Sequence, residues 1–140
     1  ERIHNTLKKY PYLVAEQGGE PVGYAYVGPF HDRPAYDWAV ETSIYVDQNK
    51  KRMGIGKKLH EALEEELRNR GFLNMNACIA YPAQEDEYLT RNSVEFHAHL
   101  GYRMVGRFHQ CGYKFYRWYD MVWMEKLIGE HTTDQQPPRF

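Results

Sequence analysis

Apolar residues recur along this chain with two different periods, and the switches between them mark out its elements. Tyr12-Leu13-Val14-Ala15-Glu16 is rich in β-branched and aromatic residues, Gly18-Gly19 is a turn, and Pro21 to Val27 returns and ends near Gly28-Pro29, which predicts a hairpin. Residues 31–36 form a polar loop, and Trp38 to Val46 is the next strand, with Thr42-Ser43-Ile44-Tyr45-Val46 as its most β-prone part. The period then changes. Ile55, Leu59, Ala62, Leu63 and Leu67 recur at helical spacing with Glu and Lys on the other face, which predicts a helix over roughly 54–70 stopped by Gly71. Phe72 to Ala80 reads as a strand and Tyr81 to about Leu89 as a loop. Ser93, Val94, Phe96, His97 and Leu100 lie on a short second helix ended by Gly101. Tyr102 to Gln110 and Trp118 to Leu127 are the last two strands, joined by Cys111–Arg117. Ile3 and Leu7 ahead of Tyr10-Pro11 read as the end of a helix, and Gly129 to Phe140 as a loose polar tail. The order β-β-β-α-β-α-β-β predicts an α/β (α+β) mixed sheet with helices on both faces.

The segment between the third strand and the first helix carries the sharpest chemical signal. It reads Lys51-Arg52-Met53-Gly54-Ile55-Gly56-Lys57-Lys58. A basic, glycine-bearing turn that opens a helix offers backbone N–H groups and the positive end of a dipole to an oxyanion, and the glycines let the backbone come close. The nucleotide-triphosphate loop is excluded, because it needs four residues between its glycines and one separates Gly54 from Gly56. The dinucleotide fingerprint is excluded as well, because Leu59 stands where its third glycine belongs.

Composition narrows the classes that remain. The 140 residues suit one domain with a real core, and a formal net charge of −1 argues against a nucleic-acid binder that works through a broad basic field. No apolar run approaches membrane-spanning length and no signal-peptide pattern opens the chain, so no membrane partner is expected. Cys78 and Cys111 lie far apart with no Cys-x-x-Cys, which reads as two free thiols in a reducing compartment, the cytoplasm. The 12 tyrosines suggest a sizeable pocket or an aromatic-lined interface. Two His-containing pairs, His97-x-His99 and His109-x-Cys111, raise the question of a metal. Residues two apart on a helix point about 200° from each other, and no further ligand pair completes a set, so no metal site is expected.

Arg/Lys-x-x-Gly-x-Gly between a strand and a helix resembles the pyrophosphate loop of the GNAT acetyltransferase superfamily. Other segments extend the likeness: Gly23-Tyr24-Ala25-Tyr26-Val27-Gly28-Pro29-Phe30, Arg33-Pro34-Ala35-Tyr36, Val40-Glu41-Thr42-Ser43-Ile44-Tyr45-Val46, His97-Ala98-His99-Leu100-Gly101-Tyr102, and Gly112-Tyr113-Lys114-Phe115-Tyr116-Arg117-Trp118-Tyr119-Asp120. Together they resemble the phosphinothricin/methionine-sulfoximine N-acetyltransferase branch, over a domain of residues 1–128 followed by the polar tail 129–140. The resemblance implies the GNAT fold without its first strand and helix, so a piece of the domain is expected upstream of Glu1. It also implies acetyl-CoA as co-substrate and a homodimer. Backbone groups of Ile44, Tyr45 and Val46 would pair with the pantetheine arm like an added strand. The amides of Arg52, Met53, Gly54, Ile55, Gly56 and Lys57 would cradle the pyrophosphate, with Lys51 where the family usually has Arg or Gln. An Asn at the start of the second helix serves the thiol end in this family; Asn92 is the candidate by identity and Thr90 by spacing from Gly101.

Acetyl transfer needs a neutral amine, a polarised thioester carbonyl and a proton for the departing thiolate. Glu41 is the candidate base, directly or through a water, on the strand that should border the thioester. Val40 and Ile44 flank it in sequence, an apolar setting that can raise a carboxylate's pKa. The alternative is an outward-facing or ion-paired glutamate. His97 stands where the superfamily often places a Tyr, and either protonates the thiolate, positions the sulfur, or packs as a helix histidine. Carbonyl polarisation is assigned to a strand amide near Tyr45. Arg33, Ala35, Tyr36 and Lys114 lie in loops that line the acceptor pocket in this family. An Arg is suited to gripping the carboxylate of an amino-acid-like acceptor, although Arg33, Lys114 and Arg117 also read as solvated surface charges. Two rivals stand beside this reading: a GNAT acting on a polyamine or peptide amine, and an acyl-CoA-binding module without catalysis.

Overall fold

The computed structural model describes residues 2–5, 9–47, 54–81 and 92–140. Among them are seven strands, two α-helices and one 3-10 turn, in a mixed α/β arrangement. The chain divides into two compact units: residues 1–75 with 127–140, and residues 76–126.

The first unit is an antiparallel run of four strands with one helix on it. Strands β1 (Arg2–Asn5), β2 (Tyr12–Gln17), β3 (Glu20–Pro29) and β4 (Ala39–Val46) pair in chain order. The hairpin, the third predicted strand and the helix all form where the periodicity places them. The N-terminal segment does not: Arg2–Asn5 is a strand, with Ile3 opposite Ala15 and Asn5 opposite Leu13, and not the end of a helix. Two apolar residues four apart cannot distinguish the periods, and pairing with β2 decides the matter.

Helix α1 (Ile55–Arg70) packs on β2, β3 and β4. Ile55, Leu59, Leu63 and Leu67, each four residues from the last, are wholly buried, against Ala25, Val27 and Val40 of the sheet. Each such leucine contributes about 2 kcal/mol through the apolar area withdrawn from water. Gly71, at φ +89°, ends the helix: its N–H donates to Arg68 O (3.1 Å) and that of Phe72 to Leu67 O (3.0 Å). This is the paired closure that a left-handed residue permits.

The tail reads as loose from its composition, yet in the structure it is docked on this unit. Ile128 N donates to Leu73 O (2.8 Å), Pro138 is buried, and the Phe140 ring meets Tyr10 and Phe72 edge-on. Polar residues in it find partners, such as Asn74 Oδ1 for the His131 ring and Arg70 O for Arg139 N, that composition cannot reveal.

The second unit holds most of β5 (Asn74–Tyr81), helix α2 (Asn92–His99) and the hairpin β6 (Arg103–Lys114) with β7 (Arg117–Leu127), in the sheet order β5-β7-β6. Helix α2 closes as α1 does: Gly101, at φ +100°, and Tyr102 donate to Ala98 O and His97 O. Lys126 Nζ also donates to Leu100 O, at 2.6 Å. The hairpin is longer than its sequence suggests. Cys111–Lys114 belongs to β6, and only Phe115 and Tyr116, both with left-handed φ, form the turn. Two irregularities in the ladder, at Met104/Gly106 and at Phe108/Gly112, break the alternation and hide this strand from a period-two reading.

Candidate active site

Strand β4 presents two chemically distinct faces. Register pairs Val27 with Thr42, Ala25 with Ile44 and Gly23 with Val46, all on the side covered by α1. Glu41, Ser43 and Tyr45 lie on the other side, with Gly28, Tyr26 and Tyr24 opposite them. Val40 and Ile44 therefore point away from the Glu41 carboxyl, because side chains alternate along a strand. The apolar flank expected from adjacency in sequence is not Glu41's surroundings. Its own face is aromatic instead: the rings of Tyr12, Tyr24, Tyr26 and Tyr45 run across three strands, with centroids 5.1 Å apart for Tyr12–Tyr26 and Tyr24–Tyr45. Burial and the neighbouring tyrosines push the Tyr45 hydroxyl above its usual range. Glu41 is half-buried, and at its cross-strand partner Gly28 a Cβ would meet nothing within 4 Å. The space over Gly28, beside Glu41 on this face, is thus open among the described residues.

The other end of β4 leads to the glycine turn. Gly54 takes φ +73° and ψ +13° and opens α1 without a side-chain cap, and the first turn holds no acidic residue. Lys58 N donates to Gly54 O at 3.1 Å, which starts the helical ladder. The N–H groups of Ile55, Gly56 and Lys57 belong to the turn that an α-helix leaves without intrahelical partners. Ile55 and Gly56 are buried and Lys57 is exposed. An uncapped, acid-free helix start behind a left-handed glycine fits a pyrophosphate. Arg52 and Met53, with Lys51, lie outside the described residues. Gly23 explains how closely the helix sits: a Cβ there would come within 2.9 Å of Tyr45 O and 3.1 Å of Leu59 Cδ1. Nothing in the sequence singles out this glycine except its place mid-strand.

In the loop ahead of β4, Arg33, Ala35 and Tyr36 are exposed around the 3-10 turn Pro34–Tyr36. Tyr36 N donates to Arg33 O (2.9 Å) and Asp37 N to Pro34 O (3.2 Å), and the His31 ring lies 5.1 Å from that of Tyr36. The loop is therefore a formed turn.

In the second unit His97 is buried on α2, edge-on to Tyr102 (4.9 Å) and Phe96 (5.4 Å). Its Nδ1 lies 2.7 Å from Ser93 O. A carbonyl can only accept, so Nδ1 carries the hydrogen and Nε2 is the ring's acceptor in the neutral form. Burial holds the imidazole pKa below its usual 6.5, against the opposing pull of Ser93. His99 is exposed. Asn92 opens α2, with its side chain outside what the structure describes, as is Thr90 altogether. Lys114 is exposed at the end of β6, its Nζ about equally near the rings of Phe115 and Tyr119. Asp120, which sequence reasoning passed over, organises this hairpin. Its carboxylate accepts from Gln110 N (2.7 Å) and Arg107 Nε (2.6 Å), bridging the bulge.

A mixed α/β domain in which the strand bearing Glu41 precedes an uncapped glycine turn is compatible with a protein of the acyl-CoA acyltransferase type. The chain belongs to the acetyltransferase (GNAT) domain family, which matches residues 1–123. It is 36% identical to a phosphinothricin N-acetyltransferase of Streptomyces viridochromogenes, over 89% of this chain and 64% of that protein. It is 34% identical to an L-methionine sulfoximine/L-methionine sulfone acetyltransferase of Salmonella typhimurium, over 90% of this chain and 70% of that one. A phosphinothricin acetyltransferase of Sinorhizobium meliloti, solved in complex with acetyl-CoA, superposes with a TM-score of 0.78 at 35% identity, covering 91% of this chain and 65% of that one. The chain thus spans just under two thirds of the length of the first and third of these proteins.

Proposed function

We propose that this chain carries the transfer of an acetyl group from acetyl-CoA to the amine of a small amino-acid-like acceptor, of the phosphinothricin or methionine sulfoximine type. The observation that carries the reading is Glu41: a half-buried carboxylate on the open face of the strand whose far end meets the uncapped turn of α1. The similarity to acetyltransferases acting on those acceptors supports the acceptor class.

Glu41 takes the proton that the acceptor ammonium must lose, directly or through a water. The amine then attacks the thioester carbon in a ternary complex: the C–N bond forms, the C–S bond breaks, and the thiolate leaves to be protonated. The backbone of Ile44, Tyr45 and Val46 aligns the pantetheine arm, with Gly54, Ile55, Gly56 and Lys57 at the pyrophosphate and Asn92 toward the thiol end. Neutral His97 offers Nε2 as an acceptor, so it positions a donor or relays a proton it has first received. In the first unit Arg33, Ala35 and Tyr36 face the acceptor, with Arg33 on its carboxylate. The protein works in the cytoplasm as a homodimer. Cys78 and Cys111 form no disulfide, and no described helix is long and apolar enough to cross a membrane. Tyr113 and Trp118, each 59% exposed on the hairpin, supply surface for a second copy.

Thiol release from acetyl-CoA, measured with methionine sulfone, phosphinothricin, spermidine and a short peptide, tests the reading. Turnover is expected with the first two, and its loss in Glu41→Gln with acetyl-CoA binding retained. Preference for spermidine or the peptide would overturn the acceptor class.

A further inference from the structure

We infer that Trp38 is a positioning residue for the acceptor side of the site, and that the segment Gly129–Phe140 is the strap that holds it. The inference rests on the acetyl-transfer reading for its functional consequence and on geometry for the strap itself.

Trp38 stands between the two halves of that chemistry, two residues beyond the 3-10 turn and three before Glu41. It is held from both ends. Its carbonyl accepts the N–H groups of Leu73 (2.9 Å) and Asn74 (3.2 Å), and its indole Nε1 donates to Gln136 O at 2.7 Å. The strap reaches Gln136 from anchors on the same stretch that binds the Trp38 carbonyl. Ile128 N donates to Leu73 O, and the His131 ring lies 2.8 Å from Asn74 Oδ1. Beyond Gln136, Arg139 N donates to Arg70 O (2.7 Å) and its guanidinium to Asn69 O, at the carbonyl end of α1. Trp38, residues 69–74 and the strap thus close a ring of hydrogen bonds. Removing the indole N–H or the strap frees the indole end of Trp38 while leaving β4 paired to β3.

The strap lies beyond residue 123, where the match to the family ends. Among the described residues its hydrogen bonds reach Trp38, just after the 3-10 turn, and residues 69–74, so the two substrates should feel its loss differently.

The test uses two variants: Trp38→Phe, which keeps a ring and removes the N–H, and a chain ending at Glu130. Steady-state kinetics for methionine sulfone and for acetyl-CoA are read beside amide hydrogen exchange over residues 33–39. The expected result is a roughly three- to tenfold rise in acceptor KM, the scale of one lost hydrogen bond, with acetyl-CoA KM and kcat little changed. Exchange at Tyr36 and Asp37 should quicken in both variants. The double variant should add nothing to either single one, because both open the same ring. Equal losses toward both substrates, additive effects, or unchanged exchange would overturn the inference. If the intact protein turns over no acceptor, the functional reading fails, and the exchange data alone decide whether the strap holds this loop.

Discussion

Arg107 Nε donates to the Asp120 carboxylate at 2.6 Å across two neighbouring strands, and the same carboxylate takes the N–H of Gln110 from the top of the bulge. Gln110 has φ +47°, an unfavourable value for a residue with a side chain, so the bulge needs such an anchor. The guanidinium also lies 4.7 Å from the Tyr81 ring centroid. One buried acid therefore sets the register of the hairpin that carries Lys114.

These bonds, with the Gln110 amide first among them, hold the Asp120 pKa below its usual value. A depressed folded-state pKa stabilises above the unfolded value and loses that contribution as pH falls toward the folded one. Urea unfolding of the intact protein should therefore weaken below about pH 4, the ordinary carboxylate range. In Asp120→Asn the protein should be less stable at pH 7 and its stability less dependent on acid. Parallel profiles for the two proteins would count against this role.

His97 should act in the same direction at a higher pH. Its folded pKa lies below 6.5, so its neutral burial favours folding above that pH and the benefit is lost as pH falls through the folded value. Nitrogen-detected NMR should show Nδ1 protonated in the neutral form and a titration midpoint below 6.5. An Nε2–H tautomer would contradict the bond to Ser93 and remove the acceptor assigned to this ring.

Gly23 and Gly28, five residues apart on β3, should respond oppositely to alanine. At Gly23 the new Cβ meets the Tyr45 carbonyl oxygen at 2.9 Å and the Leu59 tip at 3.1 Å, so the β4 backbone must move and the start of α1 must give with it. The expected cost is about 1–3 kcal/mol by denaturation, with weaker acetyl-CoA binding by calorimetry because the glycine turn moves with the helix. At Gly28 there is room, so stability should stay within about 0.5 kcal/mol while acceptor KM rises.

Gly71→Ala should cost about 1 kcal/mol, lowering the melting temperature by about 4 °C, since φ +89° disfavours a Cβ. The space itself is adequate, with Pro138 Cα 3.7 Å from the new atom. Gly71→Asn, which tolerates the left-handed region, should recover part of the loss. Equal melting temperatures for Ala and wild type would mean the cap is not needed.

Features whose cause is local were legible in the residues. The period of Ile55, Leu59, Leu63 and Leu67, the stops at Gly71 and Gly101, and the β4 strand with Glu41 on it each depend on neighbours within a few positions. The motif resemblance likewise foresaw the family to which residues 1–123 belong. Tertiary structure alone decided what depends on a distant partner. Arg2–Asn5 became a strand because β2 lies beside it, and the polar tail became a strap because Trp38, Asn74 and Arg70 offer it partners 57 to 98 residues away. Glu41 faces tyrosines and not Val40 and Ile44 because a strand's side chains alternate, so nearness in sequence is separation in space. Hydrogen bonds and packing between such distant segments have no period along the chain, and only the folded backbone brings their partners together.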